Sequence, residues 1–388
     1  MLALSCGAIW VGLVLFLLCR ALRQFRGHRR AALLPAPNSS CRASVSIIVP
    51  VRNEIENIGT SLAGLTAQSC LSRASSIIIV DDESQDGTAA VVQDRAALDS
   101  KIRLVAAGAL PQGWVGKAHA CWRGALLAEG DWLCFIDADV RPGPELVAAA
   151  LATAEARRID VLSLHPLQEL GSFWERVVIP AGLLMIACAK PFRMPSEDAA
   201  NGQFLLIRRD AYFAIGGHAA VRREICEDKA LADLARQAGL RFRVLAAEQF
   251  ARTRMYRDFA SLWEGFSKNA TEILGGGGLT LAVAIAAFVF GWTALLLPPA
   301  IAFAVFAEPS WAAMTGGILA AAGSAVVIGI QCGTARHFRI PAVFGIIFAL
   351  GYTVAVCLAC HSVLAQFRGR VTWKGRTYQL NGTSAQQT

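Results

Sequence analysis

Four long apolar runs bracket one stretch of ordinary composition, and this division constrains the fold of the chain more than any other feature. The runs are Leu2 to Cys19, Leu279 to Ala307, Ser310 to Ile330 and Pro341 to Leu364. Each is near the ~20 residues that an apolar helix needs to cross a bilayer. The chain is 55% hydrophobic and 17% charged, with mean hydropathy +0.45, which is too apolar for an ordinary soluble protein. Residues 43 to 274, by contrast, have globular composition. The expected organisation is an N-terminal anchor over 1–20, a soluble domain over 43–274, about three spans within 279–364, and a basic then polar tail over 365–388.

The first run lacks the basic leader and small-residue cleavage site of a signal peptide. It is followed by Arg20, Arg23, Arg26, Arg29 and Arg30, which favours a retained anchor with its carboxyl side in the cytoplasm. A multi-pass inner-membrane protein with a cytoplasmic soluble domain is therefore expected. The net charge of +8 clusters beside the apolar runs, so it reads as attraction to anionic lipid, and no nucleic acid is expected as a partner. The eleven cysteines are scattered, several inside apolar runs, as in a reducing compartment. They are given no function.

Within the soluble stretch, β-rich apolar runs alternate with helical patterns. Val45–Val51, Ser76–Asp81, Ile102–Ala106, Trp132–Asp137 and Ile159–Leu164 are expected strands. Helices are expected over Glu54–Gln68, Asp86–Leu98, Lys117–Glu129 and Pro144–Arg157. The alternation predicts an α/β domain with a Rossmann-like, mostly parallel sheet, flanked by N-terminal and C-terminal transmembrane helices. Asn381 to Thr388 reads as disordered.

Polar residues gather where the expected strands end, the edge at which α/β sheets bind ligands. The first strand runs into Pro50, Arg52, Asn53 and Glu54, and the second into Asp81-Asp82-Glu83 and then Asp86-Gly87-Thr88, a helix cap. The fourth ends in Asp137-Ala138-Asp139. Two carboxylates one residue apart after a buried strand suit a hard divalent cation; a solvated turn or helix cap is the plainer alternative.

Taken together, Val45 to Glu54, Val80 to Thr88, Gly116-Lys117-Ala118, Asp137-Ala138-Asp139 and Glu227-Asp228-Lys229-Ala230-Leu231 resemble an inverting family 2 glycosyltransferase of GT-A fold. The resemblance covers about Ser44 to Gly239. Gly113 to Lys117, Phe173 to Pro180 and Trp263 to Asn269 are further similar to membrane members associated with hopanoids and carotenoids, and more distantly to ceramide glucosyltransferases.

The resemblance implies a role for each matched residue. Asp82 would accept a hydrogen bond from the imide N–H of uracil, with the backbone of Pro50 to Asn53 flanking the nucleoside; a turn cap is the alternative for Asp82. Asp137 and Asp139 would hold Mg2+ or Mn2+ against the diphosphate, neutralising charge on the leaving group. Lys117 would add a point charge there, unless it is an exposed lysine at a helix start. Asp228 would be the general base and Glu227 its neighbour, against the alternative that the pair only complements the helix dipole. Gly202 and Gln203, with the acid pair Glu197-Asp198 before them, are placed on an acceptor-side loop, and Trp263 and Lys268 beside the acceptor.

The implied reaction is transfer of a sugar from a nucleotide sugar, UDP-linked by expectation, to a hydroxyl of a membrane lipid, with inversion. Amphipathic stretches near 172–190 and 258–274 are expected to lie at the bilayer surface. Processive polymer synthases of the family carry Gln-x-x-Arg-Trp, whereas this chain has Gln249-Phe-Ala-Arg252-Thr253; the fragment is taken as coincidental and polymer synthesis as the second reading. A scaffold without chemistry is the third. Topology stays open: four crossings would put Arg368, Arg370, Lys374 and Arg376 outside, against the positive-inside tendency. One C-terminal segment is expected to be re-entrant, broken at Pro298-Pro299, with the tail inside.

Overall fold

The computed structural model describes residues 1–30, 33–37, 43–71, 75–189 and 202–379. The chain divides into two compact units. One comprises Met1–Arg29, Leu170–Phe192 and Tyr256–Arg368; the other comprises Arg30–Glu169, Arg193–Met255 and Gly369–Thr388.

The second unit is α/β. Its strands are β1 (Val45–Val51), β2 (Ser76–Asp81), β3 (Ile102–Ala106), β4 (Trp132–Ile136), β5 (Val140–Pro142), β6 (Val161–His165), β7 (Leu167–Gln168), β8 (Phe204–Arg208), β9 (Phe242–Ala246), β10 (Ala251–Thr253), β11 (Arg370–Trp373) and β12 (Arg376–Gln379). Helices through the chain are α1 (Leu2–Arg30), α2 (Ile55–Thr66), α3 (Thr88–Leu98), α4 (Gly116–Leu126), α5 (Leu146–Ala156), α6 (Phe173–Ala189), α7 (Arg209–Ala214), α8 (Gly217–Ala220), α9 (Glu227–Gln237), α10 (Phe259–Leu274), α11 (Gly277–Ala307), α12 (Trp311–His337) and α13 (Phe348–Phe367).

Seven strands form one sheet in the order β3-β2-β1-β4-β8-β6-β9. All neighbours are parallel except β8, which runs antiparallel to both β4 and β6. The expected mostly parallel sheet is therefore present. β1 shows why its sequence is a continuous apolar run: Ile47 and Val49 pack under α2 with Ile58, Leu62 and Leu65, while Ile48 faces α4 with Ala120, Cys121 and Ala125. Burial on both faces removes the polar alternation that marks a one-sided strand. The fourth strand stops at Ile136, one residue short of expectation, because the Val140 amide closes a turn on the Asp137 carbonyl at 3.1 Å. That turn lifts both acids out of the sheet. β5 follows directly in the chain and belongs to a second, three-stranded sheet, β5-β10-β7. Gln249 to Thr253, expected to be coincidental, contributes β10, whose Thr253 pairs with Val140 immediately after Asp139.

Residues 370–379 lie in the basic part of the expected tail. They form the hairpin β11–β12, turning at Lys374 and Gly375 with φ of 46° and 76°. Two successive positive φ values suit the tight turn that matches strand twist. Asn381 to Thr388 and Glu197-Asp198 lie outside the described residues.

The other unit is helical. Four of its helical stretches are long and apolar enough to cross a membrane: Leu2–Arg23, Gly277–Ala307, Trp311–His337 and Phe348–Phe367. The expected break at Pro298-Pro299 does not occur, since α11 continues through both prolines. Each proline removes one amide donor, a loss that helices of spanning length accommodate locally. The break lies instead between α12 and α13, where Arg339 takes φ 57° and Ala342–Gly345 forms a 3-10 turn after Pro341. The stretches near 172–190 and 258–274 are α6 and α10, and both belong to this helical unit instead of the soluble domain drawn over 43–274. α6 packs on α13 so closely that a Cβ at Gly351 would meet the Val177 carbonyl.

Candidate active site

The carboxyl ends of β1, β2 and β4 and the start of α9 converge in the α/β unit, as an α/β sheet edge should. Pro50, Lys117, Asp137, Gly202, Glu227 and Asp228 line one narrow cleft, with Phe135, Leu205 and the buried His218 forming its apolar side. Tyr212 and His218 are joined at 2.8 Å between the phenol oxygen and Nδ1. Burial pushes the His218 imidazole down to about 4, so it is neutral in the physiological range.

Lys117, on the first turn of α4, is the electrostatic centre of the cleft. Its ammonium lies 2.8 Å from Asp137 Oδ1 and 2.8 Å from Glu227 Oε1. Burial alone would lower its pKa, but Asp137, Glu227 and Asp228 together raise it well above the ordinary value. The exposed-lysine alternative is thus set aside; Lys117 is a fixed bridge between the metal-type acids and the acids of α9.

Asp228 follows Glu227 in the first turn of α9. Its Oδ2 accepts the Gly202 amide at 2.7 Å and its Oδ1 the Lys229 amide at 2.8 Å. Burial and the neighbouring Glu227 raise its pKa to about 6, opposed by Lys117 and the two amides. A carboxylate so poised suits proton transfer near neutral pH. Gly202 is tightly flanked, and a Cβ there would lie 3.1 Å from both Asp228 Oδ2 and Lys117 Nζ. Gln203 is engaged differently: its amide accepts from Gln168 at 3.0 Å and donates to Thr253 Oγ1 at 3.4 Å, bracing the strand that leads out of the acid turn.

The acid turn itself fits a divalent cation. Asp139 Oδ1 is buried and accepts no hydrogen bond among the described residues. Burial first, then Asp137 and Glu54, raise its pKa to about 7, while Lys374 and Lys117 oppose the rise. A buried carboxylate with an unmatched oxygen beside a second carboxylate is a site that a hard cation would stabilise. Among the described residues no group of three or more His, Cys, Asp or Glu could hold a metal, so the remaining ligands would come from phosphate oxygens and water, the usual arrangement for Mg2+.

At the nucleotide edge, Asp82 is buried at the end of β2, with 4% exposure. Its Oδ2 accepts from Arg376 and its Oδ1 has no partner among the described residues. The turn cap is supplied by other acids: Asp81 accepts the Ser84 amide at 3.3 Å, and Asp86 accepts from Ile55 and Thr88. Arg52 donates to the Asp82 carbonyl at 2.5 Å and to the Lys374 carbonyl at 3.1 Å, while Asn53, at φ 51°, accepts the Gln85 amide at 2.8 Å. Glu54 pairs with Lys374. These side chains shape the edge of the site, and the backbone beside them is engaged as well: the Val51 carbonyl accepts the Asp82 amide at 2.9 Å, the Arg52 carbonyl accepts from Lys374 at 3.0 Å and the Asn53 amide donates to Ser84 Oγ at 3.0 Å.

Trp263 and Lys268 lie on α10 in the helical unit and are not among the residues that line the cleft. Trp263 stacks on His361 at 5.6 Å and donates to its Nδ1 at 2.9 Å. Sequence reasoning missed Lys374, Arg376 and His119, whose Nδ1 is buried without a partner among the described residues and whose pKa burial lowers despite Asp82. The Lys-Gly pair between alternating Val371, Trp373 and Tyr378 was the available signal for the hairpin.

The profile of glycosyl transferase family 2 matches residues 46–228. The 4,4'-diaponeurosporenoate glycosyltransferase of Staphylococcus aureus strain MRSA252 is 29% identical over 261 residues, covering 66% of this chain and 68% of its own. Its counterpart in strain USA300 is 28% identical over the same length. Among solved structures, the mannosyltransferase PcManGT from Pyrobaculum calidifontis, in complex with GDP-Man and Mn2+, superposes with a TM-score of 0.53 at 17% identity, over 94% of this chain and 98% of that one. That likeness is one of fold, and it extends the GT-A architecture to this sheet.

Proposed function

We propose that this chain, whose residues 46–228 match glycosyl transferase family 2, is a glycosyltransferase that moves a sugar from a UDP-sugar to a hydroxyl of a membrane lipid with inversion. The observation that carries the reading is the cleft that Asp228 and Lys117 share with Asp137, the first acid of the turn. The acceptor oxygen attacks the anomeric carbon, the bond from that carbon to the diphosphate oxygen breaks, and the acceptor proton passes to Asp228 Oδ. A single displacement inverts the centre, so an α-linked donor gives a β-glycoside. Asp228 is prepared for this by burial, which makes it basic enough to take a proton, and by the Gly202 and Lys229 amides, which fix its orientation. Lys117 holds Asp137 and Glu227 apart from mutual repulsion. Asp139 and Asp137 would hold Mg2+ or Mn2+, which when bound neutralises the diphosphate. Asp82 Oδ1 is left to receive the imide N–H of uracil.

A lipid acceptor is supported by the four apolar helices and by the relative named for transfer to 4,4'-diaponeurosporenoate. The fold also bears on topology. The chain leaves the α/β unit at Met255 and rejoins it at Gly369, which supports an even number of membrane crossings by residues 256–368. Three helices there have spanning length, hence one does not cross. α13 fits that description: half of its apolar window is buried, against 17 to 28% for the others. It runs back along α11, with Thr353 accepting from Trp292 at 3.0 Å and Val363 beside Gly277. The protein is thus multi-pass with α1, α11 and α12 crossing, α13 re-entrant, and the α/β unit and its hairpin cytoplasmic.

The test is release of UDP from UDP-sugars by the purified protein with a total membrane lipid extract. Metal-dependent UDP release with a hexose-sized mass gain on a lipid is expected. UDP release with water as the sole acceptor would remove the lipid from the account.

A further inference from the structure

The hairpin β11–β12 lies outside the matched domain, yet it docks on the nucleotide edge of the α/β unit. Val371 and Tyr378 are buried with Val115 and Ile225 in a small apolar cluster, so the docking is packed. The turn end of the hairpin presents two cations to carboxylates of the site. Lys374 pairs with Glu54 and donates to the Arg52 carbonyl at 3.0 Å. Arg376 pairs with Asp82 and reaches Glu83 at 2.5 Å. The approach is close enough that a Cβ on Gly116 would meet both the Asp82 carboxylate and the Arg376 guanidinium.

This contact has two consequences. Asp82 Oδ1 is sealed from solvent with no donor among the described residues, so the acid proposed to read the base is covered and half satisfied. The charge arrangement points the same way. Lys117 is committed to Asp137 and Glu227, and the edge around them carries Glu54, Asp82, Glu83, Asp137 and Asp139. A diphosphate entering such a field needs cations besides one divalent ion, and Lys374 on the hairpin turn and Arg376 at the start of β12 are placed at its rim.

Resting on the UDP-sugar reading above, we infer that the hairpin is a closing element of the donor site, whose Lys374 and Arg376 leave Glu54 and Asp82 to bind the diphosphate of a nucleoside diphosphate sugar. In the nucleotide-free protein the two cations neutralise the acids of the site. With nucleotide present they neutralise the phosphates, and Asp82 becomes available to the base. Arg suits this exchange, since its planar fork fits carboxylate and phosphate alike.

Calorimetry with UDP and with uridine, each with Mn2+, separates the roles on the full-length protein in detergent. For the double variant Lys374→Ala/Arg376→Ala, UDP affinity should fall at least roughly tenfold, the scale of a charge-assisted contact, while uridine affinity holds or rises. Equal UDP affinity, or parallel losses for UDP and uridine, overturns the inference. In the wild-type chain, UDP should also change the rate of trypsin cleavage after Lys374, which needs no variant to fold; identical cleavage counts against it. A wild-type protein that binds no UDP removes the donor reading and this one together, whereas UDP binding that the variants match removes the hairpin's role alone.

Discussion

The backbone amide of Gly202 donates to Asp228 Oδ2 at 2.7 Å, tying the first turn of α9 to the segment that enters β8. The bond orients the carboxylate and, with the Lys229 amide, limits how far burial can raise its pKa. Gly202→Ala would push a methyl group into Asp228 and Lys117, each 3.1 Å away. Turnover should fall by roughly tenfold or more, as a misplacement of the order of 1 Å does, with donor KM nearly unchanged. Steady-state kinetics at saturating lipid check this, and a loss confined to donor KM contradicts it.

The ionisation of Asp228 sets a pH dependence. Its pKa of about 6 means that the base is protonated below that value and free above it. The ratio kcat/KM for the acceptor should therefore rise with pH through about 6 and then level. A profile flat from pH 5 to 8 would show that Asp228 does not take the proton.

Asp139 predicts an opposite effect on stability. Its folded pKa of about 7 exceeds the ordinary 3.8, so the unfolded chain ionises first as pH rises. Stability falls across pH 4 to 7 and the penalty is complete above 7. Asp139→Asn should stabilise the metal-free protein at pH 8 by about 1–3 kcal/mol, while abolishing the added stability that Mn2+ confers on the wild type. Melting curves with and without Mn2+ decide it; a variant less stable than wild type without metal contradicts the assignment.

Lys117→Met leaves Asp137 and Glu227 facing each other with no cation between them. A loss of about 2–3 kcal/mol is expected, below that of a fully buried pair because a third of the Lys117 side chain remains exposed. Denaturant unfolding measures it, and a neutral substitution would show that the bridge is incidental.

Topology gives a further prediction. A protease site placed after Thr388 should be cut from the same membrane face as one in the loop after α3, using sealed vesicles of each orientation. Cleavage from opposite faces would mean that residues 256–368 cross an odd number of times.

Much of the sheet was legible because β1, β2 and β4 are buried on both faces and read as largely apolar runs. β8 was not, because its antiparallel insertion between β4 and β6 depends on pairing partners remote in the chain. Asp82, Asp139 and Asp228 could be placed because turns after strands and a helix start carry local signatures. Lys374 and Arg376 could not, since their carboxylate partners lie about three hundred residues away and their own neighbourhood is a run of basic charge. The α11 prolines misled for the converse reason: a strong local breaker was overridden by the need of an apolar helix to continue.

The most direct measurement of the account is the Asp228→Asn variant, assayed with Mn2+, a UDP-sugar and membrane lipid, alongside calorimetric UDP binding. The account predicts normal UDP affinity with transfer reduced by at least about a hundredfold, the contribution expected of a positioned base, and a β-linked product from the residual turnover. Transfer at the wild-type rate, with UDP bound equally well, would contradict it.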